Sequence, residues 1–122
     1  MDIYMSERRS EHRLLCAELL RLEWAEVSGW QKTTTVLLED ISSQGACVQM
    51  EVPVSLGAQV ELFYGSTMIP ATVSYCEYRE IGYYTGLAFE EGFRWSEQNF
   101  QPQHLLDTRG LLAHTNRTTY LN

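Results

Sequence analysis

The 122-residue sequence predicts an all-β domain built as a small antiparallel barrel or sandwich. Between residues 14 and 89, β-branched and aromatic residues gather in short runs, and most runs alternate apolar and polar residues as half-buried strands do. Glycine, proline, serine and aspartate separate these runs at close spacing. A hydrophobic content of 44% with 20% charged residues is ordinary for one globular domain. We expect six strands closed into a barrel, because closure leaves no exposed strand edge.

The first strand is predicted over Leu14–Trp24, although this run contains two periodicities. Leu15, Leu19 and Leu22 lie at helical spacing, whereas the even-numbered positions from 20 to 24 are all apolar, as in a strand with one buried face. The chain that follows has the β pattern up to residue 89. We therefore interpret the run as a strand.

Five further strands complete the predicted barrel. Pro53 ends the third strand of the six, and Glu80–Gly82 is expected to form a hairpin turn. In the fifth strand, alternation assigns Ala71, Val73 and Tyr75 to one face and the residues between them to the other. The five predicted strands are Thr33–Leu38, Ala46–Val52, Gln59–Tyr64, Ile69–Tyr78 and Tyr83–Phe89.

The pattern changes after the last predicted strand. Ser96 is suited to cap a short C-terminal helix over Trp95–Phe100, which would stop before Pro102. We expect the three tryptophans, Trp24, Trp30 and Trp95, to pack in the core or as a lid over it.

Charge and composition argue against several classes of protein. A net charge of −7 repels the phosphates of nucleic acids, so we expect no nucleic-acid partner. No apolar run approaches the roughly 18–20 residues of a membrane helix, so no membrane insertion is expected. The N-terminus lacks the basic and apolar regions of a signal peptide, and three widely spaced cysteines suggest reduced thiols. These features together predict a cytoplasmic protein.

Motifs of enzymes and metal sites are missing from the sequence. We find no nucleophile elbow, zinc-protease motif, phosphate loop or dinucleotide glycine pattern. His12, His104 and His114 lie in three different regions, whereas a zinc site needs closely spaced ligand pairs. A Cys/His nucleophile stays formally open, but the cysteines are more simply small hydrophobes on strands. We therefore expect no catalytic residue, no metal site and no cofactor.

A basic cluster precedes the first predicted strand. Arg9 and Arg13 form an Arg-x-x-x-Arg motif, with Arg8 directly in front of it. From charge alone, a solvated arm is the simplest interpretation. A guanidinium can also grip a phosphate with two parallel hydrogen bonds and stack on a purine. The cluster is therefore a candidate clamp for an anionic ligand.

A second motif follows about 27 residues later, between two predicted strands. Asp40, Ser42 and Gly45 form Asp-x-Ser-x-x-Gly. Alone, this pattern is most often a β-turn, in which Asp bonds its own loop and Gly supplies a positive φ. A carboxylate at a strand end can also accept the N1–H and N2–H of guanine, and a glycine lets a ligand approach the backbone. Together with the arginines, the motif suits a small dianionic ligand.

The two motifs in this order resemble the paired signature of PilZ domains. Further segments support the resemblance: Gly45–Val48 after the second motif, the turn Val54–Gly57, and the hairpin of Ala71–Tyr75 with Tyr84–Phe89. The resemblance implies a PilZ-like split barrel of six antiparallel strands with a short C-terminal helix. It covers about residues 6–107, leaving an N-terminal tail of residues 1–5 and a C-terminal tail of residues 108–122.

The resemblance also implies a ligand, the bacterial second messenger cyclic di-GMP. The motif arginines, Arg9 and Arg13, would hold phosphates and stack on guanine, while Arg8 occupies the position where an arginine favours a stacked ligand dimer. The residues of the second motif would bind guanine and its backbone surroundings, and Tyr75 could flank the base. The expected ligand-binding residues are Arg8, Arg9, Arg13, Asp40, Ser42 and Gly45.

These expectations describe a signalling receptor without enzymatic activity. We expect an N-terminal arm that is mobile without ligand, and that ligand orders over the barrel. The rearrangement would change the surface offered to an unidentified protein partner. The alternative is a PilZ-like interaction module that binds no nucleotide.

Overall fold

The computed structural model describes residues 12–107 and forms a sheet of seven antiparallel strands. Six of the strands are long, and a two-residue strand follows them near the end of the described chain. In chain order they are β1 Leu14–Ala25, β2 Gln31–Ile41, β3 Gly45–Met50, β4 Gln59–Tyr64, β5 Thr67–Arg79, β6 Gly82–Phe89 and β7 Leu106–Asp107. The six strands predicted from the sequence are confirmed.

The six long strands close into a barrel. Their order around it is β2, β3, β6, β5, β4 and β1, and pairing of β1 with β2 completes the ring. The third strand ends at Met50, before the predicted Val52, because Met50 pairs with Tyr83 at the start of β6. Beyond that pair the neighbouring strand turns away, so residues 51 and 52 have no partner on β6.

Alternation along the strands fills the barrel interior. On β1, Leu20, Leu22 and Trp24 point into the core, whereas Leu15 and Leu19 are 40% and 67% exposed, which confirms the strand interpretation of this run. The largest fully buried side chains come from all six strands: Leu22, Leu38, Ile41, Leu62, Ile69, Val36, Val48, Val73 and Thr85.

The predicted C-terminal helix is wrong for the described residues. Ser96 does cap a turn, since its Oγ accepts the backbone N–H of Gln98 at 3.3 Å and its carbonyl accepts that of Asn99 at 2.9 Å. The turn stops there because Pro102 has no N–H and disfavours helical geometry at the preceding residue. The segment instead continues through turns and irregular chain and finishes in β7, which pairs with the start of β1.

Two of the three tryptophans pack as expected. Trp24 and Trp95 are buried, Trp24 inside the barrel and Trp95 under its end, whereas Trp30 in the turn before β2 is 74% exposed. Trp30 therefore contributes little to the core. Its neighbours Ser28 and Gly29 belong to the same hairpin turn, which extends beyond the sheet.

Candidate functional site

The Asp40–Gly45 loop, as we name this segment, comprises the last two residues of β2, the connecting residues 42–44 and the first residue of β3. The backbone N–H of Ser42 donates to the carbonyl of Gly45 at 2.8 Å, and the Ser42 hydroxyl lies 3.3 Å from the same oxygen. That hydroxyl also accepts the N–H of Gln44 at 3.4 Å. Ser42 is only 3% exposed, so its side chain shapes the loop from within.

The segment after β6 holds this loop from outside. The N–H of Phe89 donates to the carbonyl of Gln44 at 2.8 Å. The N–H of Trp95 donates to the carbonyl of Ser43 at 3.0 Å. The loop carbonyls are thus tied to β6 and to the chain that follows it. Because both partners are buried, the loop is fixed against the barrel.

Gly45 permits close contact between two strands. Its φ is not in the left-handed region, so the positive φ typical of a β-turn glycine is not its role here. A Cβ at Gly45 would lie 2.6 Å from the carbonyl oxygen of Leu87 on β6. Only glycine lets β3 begin pairing at this point, opposite Ala88.

Arg13 and Asp40, one from each sequence motif, form an ion pair. The Nη1 of Arg13 donates to Oδ1 of Asp40 at 3.1 Å, with the two side chains 43% and 19% exposed. Beside them is an open depression of about 220 Å³, whose lining includes Arg13, Ser42, Gln44, Gly45 and Ser74. Four of the six expected ligand-binding residues therefore lie together. Arg8 and Arg9 lie outside the described residues.

A row of outward positions extends from Asp40 across four strands. Asp40 pairs with Cys47, Cys47 pairs with Gly86, and Gly86 pairs with Tyr75. Because partners across a ladder share a face, these positions form one stripe, three strand spacings or roughly 14 Å wide. We call Asp40, Cys47, Gly86 and Tyr75 the site row.

Two β-bulges bring the ends of the site row to the outer face. The register shifts between Leu38 and Asp40 on β2, and between Val73 and Tyr75 on β5. Leu38 and Val73 point into the core, so strict alternation would send Asp40 and Tyr75 inward as well. The predicted grouping of Tyr75 with Ala71 and Val73 is therefore wrong, because the bulge turns Tyr75 toward the site.

The ring of Tyr75 lies against Gly86, where any Cβ would collide with it. Its hydroxyl donates a hydrogen bond to the sulfur of Cys47. Burial is the main cause that raises the pKa of Tyr75, followed by this hydrogen bond. The ring is thus a fixed, uncharged aromatic surface beside the ion pair. A glycine within a strand is a sequence signal for such a close approach, but its partner could not be identified from the sequence.

The cysteines near the site are poor nucleophiles. Burial raises the pKa of Cys47, with a smaller opposing effect from the Tyr75 hydrogen bond. Burial, together with the charges of Asp40, Glu18 and Glu39, raises the pKa of Cys16 to about 12. Both thiols therefore stay protonated at neutral pH, which disfavours thiolate chemistry.

Residues 12–107 contain neither a metal-binding cluster nor a membrane-spanning helix. Within residues 12–107, no group of three or more histidine, cysteine, aspartate or glutamate side chains is arranged to hold a metal ion. The same part of the chain contains no helix long and apolar enough to cross a membrane.

Comparison with known proteins identifies the family. Residues 7–105 match the PilZ domain model. Among solved structures, the PilZ domain of Escherichia coli YcgR with c-di-GMP is similar at a TM-score of 0.55 and 16% identity, over 70% of this chain and 79% of that one. A second structure, Escherichia coli YcgR in complex with c-di-GMP, matches at a TM-score of 0.53 and 16% identity, over 69% of this chain and 38% of that one.

At this identity the two structures show a shared fold. The chain spans little more than a third of the length of the second structure, 38%. No curated protein matches this chain in sequence. The match of the family model over most of the chain, with a closed six-stranded barrel, shows that this protein belongs to the PilZ domain family, a non-catalytic receptor family that generally binds cyclic di-GMP.

Proposed function

We propose that this protein is a bacterial cytoplasmic receptor for cyclic di-GMP, which it binds on the outer barrel face along the site row. The observation that carries the proposal is the ion pair between Arg13 and Asp40, which lie 27 residues apart and belong to different motifs. It supports a single site built from both motifs. The two YcgR structures with c-di-GMP support the same ligand for this fold.

Each side of the ion pair has a counterpart on the ligand. The Arg13 guanidinium suits a phosphate or the face of a guanine, and the Asp40 carboxylate suits the N1–H and N2–H of guanine. Because exposed ion pairs contribute only about 0–1 kcal/mol, exchanging this pair for ligand contacts costs little. Gly45 lets β3 pair closely with β6, which places the second motif beside Arg13, while Ser42 keeps the loop in shape.

The N-terminal arm supplies the remaining charge. Arg9 joins Arg13 on the phosphates, and Arg8 favours a stacked ligand dimer. These contacts order the arm over the barrel and change the surface presented to a protein partner. A single domain without catalytic residues can transmit a signal in this way.

Isothermal titration of the purified protein with cyclic di-GMP tests the proposal, with cyclic di-AMP as the control ligand. We expect saturable binding of the guanine dinucleotide only, and two ligands per protein if the dimer binds. Asp40→Ala and Arg9→Ala should abolish binding. The circular dichroism spectrum and melting temperature of Asp40→Ala should stay close to wild type, because its ion pair with Arg13 is exposed.

Two results would contradict parts of this proposal. Retained affinity in both variants would reject the assigned site. A folded wild-type protein that gives no heat with cyclic di-GMP would reject the receptor function and favour an interaction module that binds no nucleotide.

A further inference from the structure

A cationic side chain lies beside the site row, at the border opposite Arg13. Arg79, at the end of β5, folds back along its own strand. Its guanidinium lies 4.7 Å from the centre of the Tyr84 ring, and its Nη2 donates to Oε1 of Glu77 at 2.9 Å. Two independent contacts therefore hold this cation over the outer face of β5 and β6.

Strand register relates Arg79 to the site row. Tyr84 lies two residues before Gly86 on β6, and Glu77 lies two residues after Tyr75 on β5. Glu77 and Tyr84 are also cross-strand partners, so they form the outward pair next to the Tyr75–Gly86 pair. Successive outward pairs are roughly 7 Å apart along a strand. The guanidinium above Tyr84 is thus within one side-chain length of the Tyr75 ring.

The electrostatics of the site agree with this position. Burial and the charge of Asp40 raise the pKa of Glu39, and the charge of Arg79 opposes them. Glu39 is the bulge residue directly before Asp40. Arg79 is therefore close enough to influence the Asp40 end of the site row as well.

Arg79 and Arg13 flank the row on a protein that is otherwise strongly acidic. A cyclic dinucleotide has two phosphates, on opposite sides of its ring. If one phosphate lies at the Arg13 end, the other needs a cation further along the row. Arg79 is held near that location. Because the side chains of Arg79 and Glu77 are both exposed, a phosphate can replace the Glu77 carboxylate in this ion pair.

We infer that Arg79 is a further ligand-binding residue, which holds a phosphate of the cyclic dinucleotide at the border opposite Arg13. This inference rests on the proposed function. Tyr84 keeps the guanidinium flat against the barrel, and Glu77 holds it until ligand binds.

The test compares Arg79 with a matched arginine elsewhere on the barrel. Arg21 on β1 has the same local arrangement, with its Nε 2.8 Å from Oε2 of Glu23 and its guanidinium 4.2 Å from the centre of the Phe63 ring. By titration with cyclic di-GMP, we expect Arg79→Ala to weaken binding about tenfold, the loss of one charge-assisted contact. Arg21→Ala should bind as wild type does.

A double variant separates direct contact from the unmasking of Glu77. Arg79→Ala leaves the Glu77 carboxylate beside the site, where it could repel a phosphate. Arg79→Ala/Glu77→Gln removes that charge, and we expect it to stay about tenfold weaker than wild type. Glu77→Gln alone should bind more tightly than wild type, because it releases Arg79. Arg79→Lys should recover only part of the affinity, since lysine lacks the planar fork.

The outcomes distinguish this inference from the proposed function. Wild-type affinity in Arg79→Ala or in the double variant, while Asp40→Ala fails to bind, would overturn the role of Arg79 and leave the receptor function intact. Equal weakening by Arg21→Ala and Arg79→Ala would also overturn it, by showing a general charge effect. No binding by folded wild-type protein would overturn both.

Discussion

Gly45 lies where the backbones of β3 and β6 approach each other too closely for a side chain. A side chain there would press on the Leu87 carbonyl, which belongs to the strand itself and cannot rotate away. Asp40, Cys47 and the loop between them all depend on this pairing. The glycine therefore fixes the position of β3, and with it the geometry of the candidate site.

We predict that Gly45→Ala lowers the free energy of unfolding by about 1–3 kcal/mol, through overpacking against Leu87. It should also weaken cyclic di-GMP binding, because the loop shifts away from Arg13. Urea unfolding and titration measure the two effects. Gly29→Ala is the control: its φ of 95° makes alanine strained, but no atom lies within 4 Å of its Cβ position, and it lies in the hairpin before β2. Normal binding in Gly45→Ala would contradict this account.

Glu39 carries an energetic penalty in the folded protein. Burial and Asp40 raise its pKa above 4.5, only partly opposed by Arg79. The folded state thus holds this proton more tightly than the unfolded chain does, so the Glu39 contribution to stability falls as pH rises above 4.5. At low pH both states are protonated and the penalty disappears.

We predict that Glu39→Gln is more stable than wild type at pH 7.5, and that the difference vanishes near pH 3.5 because the wild-type carboxyl is then neutral. The midpoints of urea unfolding of both proteins at the two pH values measure this difference in stability. Glu90→Gln, on the loop after β6, controls for the loss of one negative charge. A stabilisation of the same size at both pH values would show a packing effect rather than a proton-linked one.

The segment after β6 replaces the predicted helix and closes one end of the barrel. Trp95 connects this segment to the site, because its backbone N–H donates to the carbonyl of Ser43. Its indole Nε1 donates to the carbonyl of Phe100 at 3.0 Å, within the segment itself. Phe100 in turn stacks on Tyr64 of β4, with ring centres 4.1 Å apart. The element is therefore stabilised by buried aromatic contacts instead of helical hydrogen bonds, and it holds the Asp40–Gly45 loop through Ser43.

We predict that Trp95→Phe costs about 1–3 kcal/mol, since it leaves the Phe100 carbonyl without its donor in a buried site. For a domain of this size, 1 kcal/mol corresponds to a shift of roughly 4–8 °C in melting temperature. Thermal unfolding by circular dichroism measures the change. Trp30→Phe is the matched control, because Trp30 is 74% exposed. We expect this variant to have the melting temperature of the wild type. Equal melting temperatures for the two variants would contradict a supporting role for Trp95.

Closure of the barrel gathers the site from distant parts of the chain. Pairing of β1 with β2 brings Arg13 to Asp40, and pairing of β6 with β3 and β5 adds Gly86 and Tyr75 to the same outer face. Under the proposed function, the acidic surface elsewhere disfavours anions, and the arginines at the borders of the site row select where the dianionic ligand binds. Fold and ligand selection are thus linked through strand order.

Local chemistry was enough to predict the strands and the paired motifs. Alternating apolar residues, turn residues and β-branched runs predict six strands. The arginines, together with Asp40, predict a dianionic ligand that carries a guanine base. The ambiguous first run was resolved by its β context. Bulges, in contrast, leave almost no mark on the sequence, because the same residues could alternate strictly.

The faces to which Asp40 and Tyr75 point, and the residues that lie beside them, depend on the pairing of distant strands. One extra residue on β2 and on β5 reverses the face of every residue that follows, so strict alternation predicts the wrong face for Tyr75. The position of Arg79 over Tyr84 and the buried role of Ser42 likewise depend on long-range pairing. Sequence periodicity reports local backbone geometry, whereas a binding surface depends on the register between strands.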